Sequence, residues 1–294
     1  MGGGKKASIV EIGPRDGFQS VKEFIPTKIK SQVIHGLIQA GFTKIQLTSF
    51  ISPKAIPQMQ DATQLCEEFI PSFPDIDFFV LVPNPFGADK AVESGVKEIS
   101  YVISVTEEHN IANVKRSMAG SFADLASVQK KHPGLIINLD ASMSFGCPFQ
   151  GEVPYRQLND YVKRAMEAGV GTINLCDTIG VAVPSQIEDT LLRLFQSYPD
   201  MTFDIHIHDT RNMGILNSYV ALQCGINSVQ TTLGGLGGCP FAPGASGNTA
   251  TEDFVYMLNE MGWETNIDFE KLMNTARFLK NNVNGNFSGH QVAV

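Results

Sequence analysis

Apolar and β-branched residues recur in short runs along the chain, and the runs alternate with longer stretches of a different period. The runs are "SIVEIG" (8–13), "KIQLTSF" (44–50), "DFFVLVP" (77–83), "EISYVISV" (98–105), "LIINLDASM" (135–143), "TINLCDT" (172–178), "TFDIHIHD" (202–209) and "SVQTTLGG" (228–235). Each has the length and composition of a buried or half-buried strand. The stretches between them carry helical spacing. "PTKIKSQVIHGLIQAG" puts Ile29, Val33, Leu37 and Ile38 on one face and ends at Gly41. "VPYRQLNDYVKRAMEAG" repeats the pattern and ends at Gly169, and "VPSQIEDTLLRLFQSYP" runs from Pro184 to Pro199. The eighth run is followed by a helix, "TEDFVYMLNEMG", and a further helix, "DFEKLMNTARFLKNNV", precedes a Gly/Asn/Ser-rich end.

Eight strand–helix units predict an α/β chain folded as a (β/α)₈ TIM barrel with a short helical C-terminal extension. The expectation is one catalytic domain over 1–294, with 264–294 as the extension and tail. A doubly wound open sheet is the alternative. No GxGxxG follows the first run, and no low-complexity linker divides the chain.

Composition narrows the partners. The 294 residues are 43% apolar, enough for a substantial core, and the formal charge is −8. A net acidic chain argues against non-specific nucleic-acid binding, but leaves room for an anionic small substrate held by a few local charges. Five cysteines, with no CxxC pair, read as free thiols in a reducing compartment. The N-terminus shows no signal-peptide run, and no apolar run reaches membrane-spanning length. The cytoplasm is therefore the expected location.

In a barrel the C-terminal strand ends face the active site, and polar residues gather there in this sequence. His206 and His208 lie two apart on a strand and so share a face, as metal ligands do; the alternative is one buried and one exposed histidine. Asp16, in "GPRDG" after the first strand, is a third ligand or simply a turn residue. Asn248 offers a hard amide oxygen suited to Mg²⁺ or Mn²⁺, or caps the helix that begins near Thr251. Cys239 sits in "GGLGGCPFAPGASGN", with six glycines in residues 234–247, a lid-like loop. It is a candidate nucleophile or general acid, or an incidental thiol. Arg15 can neutralise a substrate carbonyl or carboxylate, and Asp177 can orient a histidine or act as a base.

These stretches, together with "TSFISPKAIPQMQDA", "VLVPNPFGADKAVESGVKEI", "GCPFQG", "DTIG" and "HDT", make the chain resemble the hydroxymethylglutaryl-CoA lyases over about residues 8–260. The resemblance implies retro-Claisen cleavage of 3-hydroxy-3-methylglutaryl-CoA to acetyl-CoA and acetoacetate, with a divalent metal, Mg²⁺ or Mn²⁺. It implies Asp16, His206, His208 and Asn248 as metal ligands, and Arg15 as the group facing the enolate oxygen. It implies Cys239 as the lid cysteine that handles protons, Asp177 in proton transfer and Lys22 near the CoA. It also implies an acyl-CoA substrate and a homodimer. Two positions depart from the pattern. Gln46 stands where those lyases carry a glutamate two residues before "TSF", and "RNMG" replaces "YGQ" after the histidines. Gln46 takes a negative charge and a proton acceptor away from the metal's surroundings, so a lyase for another 3-hydroxy-3-substituted acyl-CoA is the nearest alternative. A condensing synthase would carry a further C-terminal region, and a non-catalytic binding barrel would not need ligands, arginine and lid cysteine together.

Overall fold

The hydrophobic runs form eight parallel strands that close on themselves. In a computed structural model that describes residues 5–238 and 247–293, these are β1 (Ile9–Glu11), β2 (Lys44–Ser49), β3 (Asp77–Val82), β4 (Glu98–Ser104), β5 (Ile136–Ser142), β6 (Thr172–Asp177), β7 (Thr202–Ile207) and β8 (Ser228–Thr231). Each strand pairs in parallel with its neighbours in sequence, and β8 pairs with β1 to close the barrel. The expected helices are α1 (Thr27–Gln39), α6 (Tyr155–Glu167), α7 (Pro184–Ser197), α9 (Thr251–Glu260) and α10 (Phe269–Asn282). Five more complete the outer ring: α2 (Ala62–Ser72), α3 (Pro85–Glu93), α4 (Glu107–Val114), α5 (Met118–Lys131) and α8 (Gly214–Cys224). A two-strand ribbon, Gly146–Cys147 with Gly151–Glu152, follows β5. None of the helices among the described residues is long and apolar enough to cross a membrane.

Two strands end earlier than the pattern suggests. The chain leaves β1 at Glu11 and enters a π-helical turn, Gly13–Gly17. It leaves β8 at Thr231, because Gly234 and Gly235 take φ of +72° and +61°, a region closed to an extended strand.

Alternation along the strands divides the molecule into two environments. Ile99, Tyr101 and Ile103 of β4, Ile137, Leu139 and Ala141 of β5, Ile173 and Leu175 of β6, and Phe203, Ile205 and Ile207 of β7 all join one large apolar cluster with the helices. The residues between them face the barrel interior, since successive side chains point to opposite faces. That set includes Ser100, Asn138, Asp140, Asn174, Asp204 and His206, all buried. Among the described residues, Val10, Ile12 and Phe79 form a separate small apolar group. The stabilising core therefore lies between sheet and helices, and the interior is largely polar.

The C-terminal tail returns to the catalytic end of the barrel. Gly289 N donates to Gly234 O at 3.0 Å and Ser288 Oγ to Gly235 O at 3.0 Å. The amides of His290 and Gln291 both donate to the Asp253 carboxylate at 2.7 Å. The tail thus braces the stem of the loop that follows β8.

Candidate metal centre and active site

The turn after β1 is set by close packing. A Cβ on Gly13 would lie 2.5 Å from Glu11 Oε1 and 3.2 Å from the Leu233 amide nitrogen, so only glycine lets β1 and the β8 loop approach. Glu11 is fully buried and holds both sides of that approach, accepting from Gly13 N at 2.7 Å, Leu233 N at 2.9 Å and Thr251 Oγ1 at 2.7 Å. The turn then delivers Arg15 and Asp16 into the barrel mouth, both buried.

Asp16 is fixed on every side. Its Oδ1 accepts from the Arg15 guanidinium and from Gln19 Nε2 at 2.9 Å, and its Oδ2 accepts from Asn248 Nδ2 at 2.7 Å. Burial alone would raise its pKa. The charge of Arg15, then His206, His208 and the Asn248 hydrogen bond outweigh burial and bring it down to about 2. Asp16 is therefore an anion at any pH at which the protein works.

β7 supplies the two imidazoles. Their rings stack, with centroids 5.0 Å apart and planes 12° from parallel. Burial, followed by repulsion from His206, pushes His208 down to about 3, so it is neutral and has a lone pair to offer. His206 Nε2 lies 2.8 Å from Asn248 Oδ1 and 4.0 Å from Asp16 Oδ2. Asn248 is carried there by backbone pairing with His208, and its own amide nitrogen donates to Gly235 O at 3.3 Å. It does not cap α9; that position belongs to Ala250, and no side chain caps the helix.

Ligand atoms of Asp16, His206 and His208 lie within 4.8 Å of one another. The donors are one carboxylate, one amide oxygen and two imidazoles, and His208 Nδ1 is buried with no hydrogen-bond partner among the described residues. A buried cluster of lone pairs with an unpartnered ring nitrogen fits a divalent cation. The oxygen ligands suit a hard ion, and the imidazoles extend the fit to first-row metals.

Arg15 sits beside this cluster. Its Nε donates to Gln46 Oε1, which aims the guanidinium along the barrel mouth. Gln46 is fully buried, and its Nε2 has no partner among the described residues. The remaining expected residues fall elsewhere. Asp177 spends both oxygens on the turn after β6, accepting from Val181 N at 3.0 Å and Ala182 N at 2.9 Å. Burial raises its pKa against those bonds. Its link to the histidines runs through the backbone, where its carbonyl accepts from His208 N at 3.2 Å. Lys22 is exposed, just beyond the turn that carries Asp16. Cys239 lies outside the described residues.

Several interior residues had no sequence expectation attached to them. Asp140 Oδ1 accepts from Asn174 Nδ2 at 3.0 Å and from Ser100 Oγ at 3.4 Å, and Asn174 Nδ2 also donates to Gln230 Oε1 at 3.0 Å. Burial raises the Asp140 carboxyl above its ordinary range, opposed first by the charge of Arg15. Polar residues at alternate positions of β5, β6 and β8 were the available signal.

The family model described as HMGL-like matches residues 6–279. The chain belongs to the HMGL-like family. Its relatives include the mitochondrial hydroxymethylglutaryl-CoA lyase of Mus musculus, 39% identical over 94% of this chain and 85% of that protein. The hydroxymethylglutaryl-CoA lyase YngG of Bacillus subtilis is 38% identical over 94% of this chain and 93% of its own length. Among solved structures, the Bacillus subtilis HMG-CoA lyase superposes with a TM-score of 0.92 at 36% identity, covering 100% of this chain and 99% of that one. An HMG-CoA lyase from Acinetobacter baumannii, in complex with coenzyme A and 3-methylmalate, gives a TM-score of 0.93 at 34% identity, covering 98% and 95%. Within the HMGL-like family this chain is thus a carbon–carbon lyase by kinship, with the barrel and the clustered ligand atoms in place.

Proposed function

We propose that this chain cleaves 3-hydroxy-3-methylglutaryl-CoA to acetyl-CoA and acetoacetate. The observation that carries the reading is the convergence of Asp16, His206, His208 and Asn248 beside the buried guanidinium of Arg15. Those four residues would hold Mg²⁺ or Mn²⁺, which supplies Lewis acidity toward the substrate's oxygens when bound.

The chain's own residues do the rest. In the cleavage the C3 hydroxyl gives its proton to solvent water and its oxygen becomes the ketone of acetoacetate, while the C2–C3 bond breaks and leaves its electron pair on C2, shared with the thioester oxygen. Arg15 faces that developing negative charge, and charge placed where the transition state needs it accelerates the step. Gln46 Oε1 holds the guanidinium still, and Gln19 and Asn248 hold the Asp16 carboxylate. Cys239, which follows β8 in sequence and lies outside the described residues, gives C2 its proton. Lys22, exposed at the rim, meets the CoA phosphates. Asp177 shapes the turn beside His208.

The test is acetoacetate release from 3-hydroxy-3-methylglutaryl-CoA with Mg²⁺ and with EDTA, beside Cys239→Ala. Fast release that EDTA and the substitution both abolish is the expected result. No release from a folded, metal-loaded protein refutes the substrate and directs attention to other 3-hydroxyacyl-CoA esters, a reading favoured by the neutral Gln46 beside Arg15.

A further inference from the structure

The interior of a barrel of this kind is ordinarily filled by branched aliphatic side chains. Next to the metal ligands, this one holds Gln46, Asp140, Asn174 and Gln230 instead, all at least nine-tenths buried. Gln230 is the register neighbour of His206, and Asp140 the register neighbour of Asn174. One set of hydrogen bonds joins Gln230, Asn174, Asp140 and Ser100, and Gln46 Oε1 ties the layer to Arg15.

Two atoms of this layer have no partner among the described residues. Gln46 Nε2 is a donor and Asn174 Oδ1 is an acceptor. Buried amide atoms left unpartnered cost stability that an apolar residue of the same size would not. Two in one layer, beside a reaction centre, point to a ligand group that completes them.

The chemistry of that group is constrained. The layer has no cation of its own, since the Arg15 guanidinium is engaged by Gln46 and Asp16. Its one carboxyl, Asp140, makes a second carboxylate unwelcome. A neutral oxygen that accepts from Gln46 Nε2 and donates to Asn174 Oδ1 fits, and a hydroxyl does both.

We propose that Gln46, Asp140, Asn174 and Gln230 form a specificity subsite for a hydroxyl on the acyl chain beside the cleaved bond. The preferred substrate is then a 3-hydroxyacyl-CoA whose C3 branch carries a second hydroxyl. This rests on the lyase reading above and names its substrate class.

The experiment compares 3-hydroxy-3-methylglutaryl-CoA with the analogue bearing hydroxymethyl in place of methyl. Calorimetric Kd values are taken in EDTA, where there is no turnover, and kcat/KM with Mg²⁺, for the wild type and Asn174→Leu. The wild type should bind the hydroxymethyl ester about fivefold tighter and cleave it with about tenfold higher kcat/KM, as a site built to hydrogen-bond a hydroxyl discriminates against its absence. Asn174→Leu should bring both ratios to about one, whatever its absolute rate. A wild type that favours the methyl ester, or a substitution that scales both esters equally, overturns the subsite and leaves the layer to ordered water. The wild-type ratio decides even where Asn174→Leu fails to fold. Cleavage of neither ester by metal-loaded protein refutes the lyase reading itself.

Discussion

Gln46 accepts from Arg15 with one end of its amide, and the other end has no partner among the described residues, so a single residue reports on both the arginine proposed for catalysis and the space beside it. Gln46→Leu removes the acceptor and lets the guanidinium swing. A loss of about 10- to 100-fold in kcat/KM is expected, since misplacing a positioned group by about 1 Å costs that order. Steady-state kinetics beside a Mn²⁺ titration check it, because metal affinity should stay within about twofold. Gln19 acts on the other side, through Asp16. Gln19→Ala should weaken Mn²⁺ binding about tenfold or more, as loss of a ligand's supporting hydrogen bond does, and calorimetric titration measures it. Unchanged affinity would mean that Arg15 and Asn248 alone suffice to hold Asp16. At this scale the sequence was legible where chemistry has a spacing. "HIHD" and "GPRDG" marked residues that the fold brings together as a possible metal site, whereas Asp140 and Asn174 sat in "INLDAS" and "INLCD" as ordinary polar members of an alternation.

The elements that carry the site depend on two buried acids. Glu11 of β1 and Glu252 of α9 hold the amides of Leu233 and Gly234, from which the loop after β8 sets out. Burial pushes Glu11 up to about 7 and Glu252 up to about 8 against the hydrogen bonds they receive. A folded pKa above the unfolded one means that the folded state binds more protons, so stability falls as pH rises from about 4.5 through about 8. Melting temperatures measured from pH 7 to 9, above the range in which the buried His208 adds stability with rising pH, should decline, and Glu252→Gln should flatten that decline. An identical slope in the variant would refute the assignment. Gly13→Ala tests the packing between β1 and the same loop. The new methyl meets Glu11 Oε1 at 2.5 Å, and a loss of about 1–3 kcal/mol is expected from thermal or urea unfolding. Strand positions were readable from sequence to within a few residues. Their ends were not, because the π-helical turn at Gly13–Gly17 and the positive φ of Gly234 are set by contacts between β1, β8 and α9.

For the whole molecule, the prediction concerns the metal. An ion that binds only the folded state stabilises it by RT ln(1 + [L]/Kd), about 2.7 kcal/mol at a hundredfold excess over Kd. Melting in Mg²⁺ or Mn²⁺ should exceed melting in EDTA by several degrees, and Asp16→Asn should erase the difference. The barrel itself was legible because eight runs alternating with helical stretches leave few other closures. The polarity of its interior was not. Alternation of apolar and polar residues ordinarily marks a strand with one wet face, and here the polar face is turned inward, where closure has hidden it.

That inversion has an evolutionary consequence. The apolar shell between sheet and helices supplies most of the folding free energy, while the lumen supplies recognition. Substitutions in the lumen can therefore exchange one set of hydrogen-bonding groups for another without eroding the shell. A lineage with this architecture can drift from one acyl substrate to the next by single changes at inward positions, keeping the metal site and the fold constant throughout.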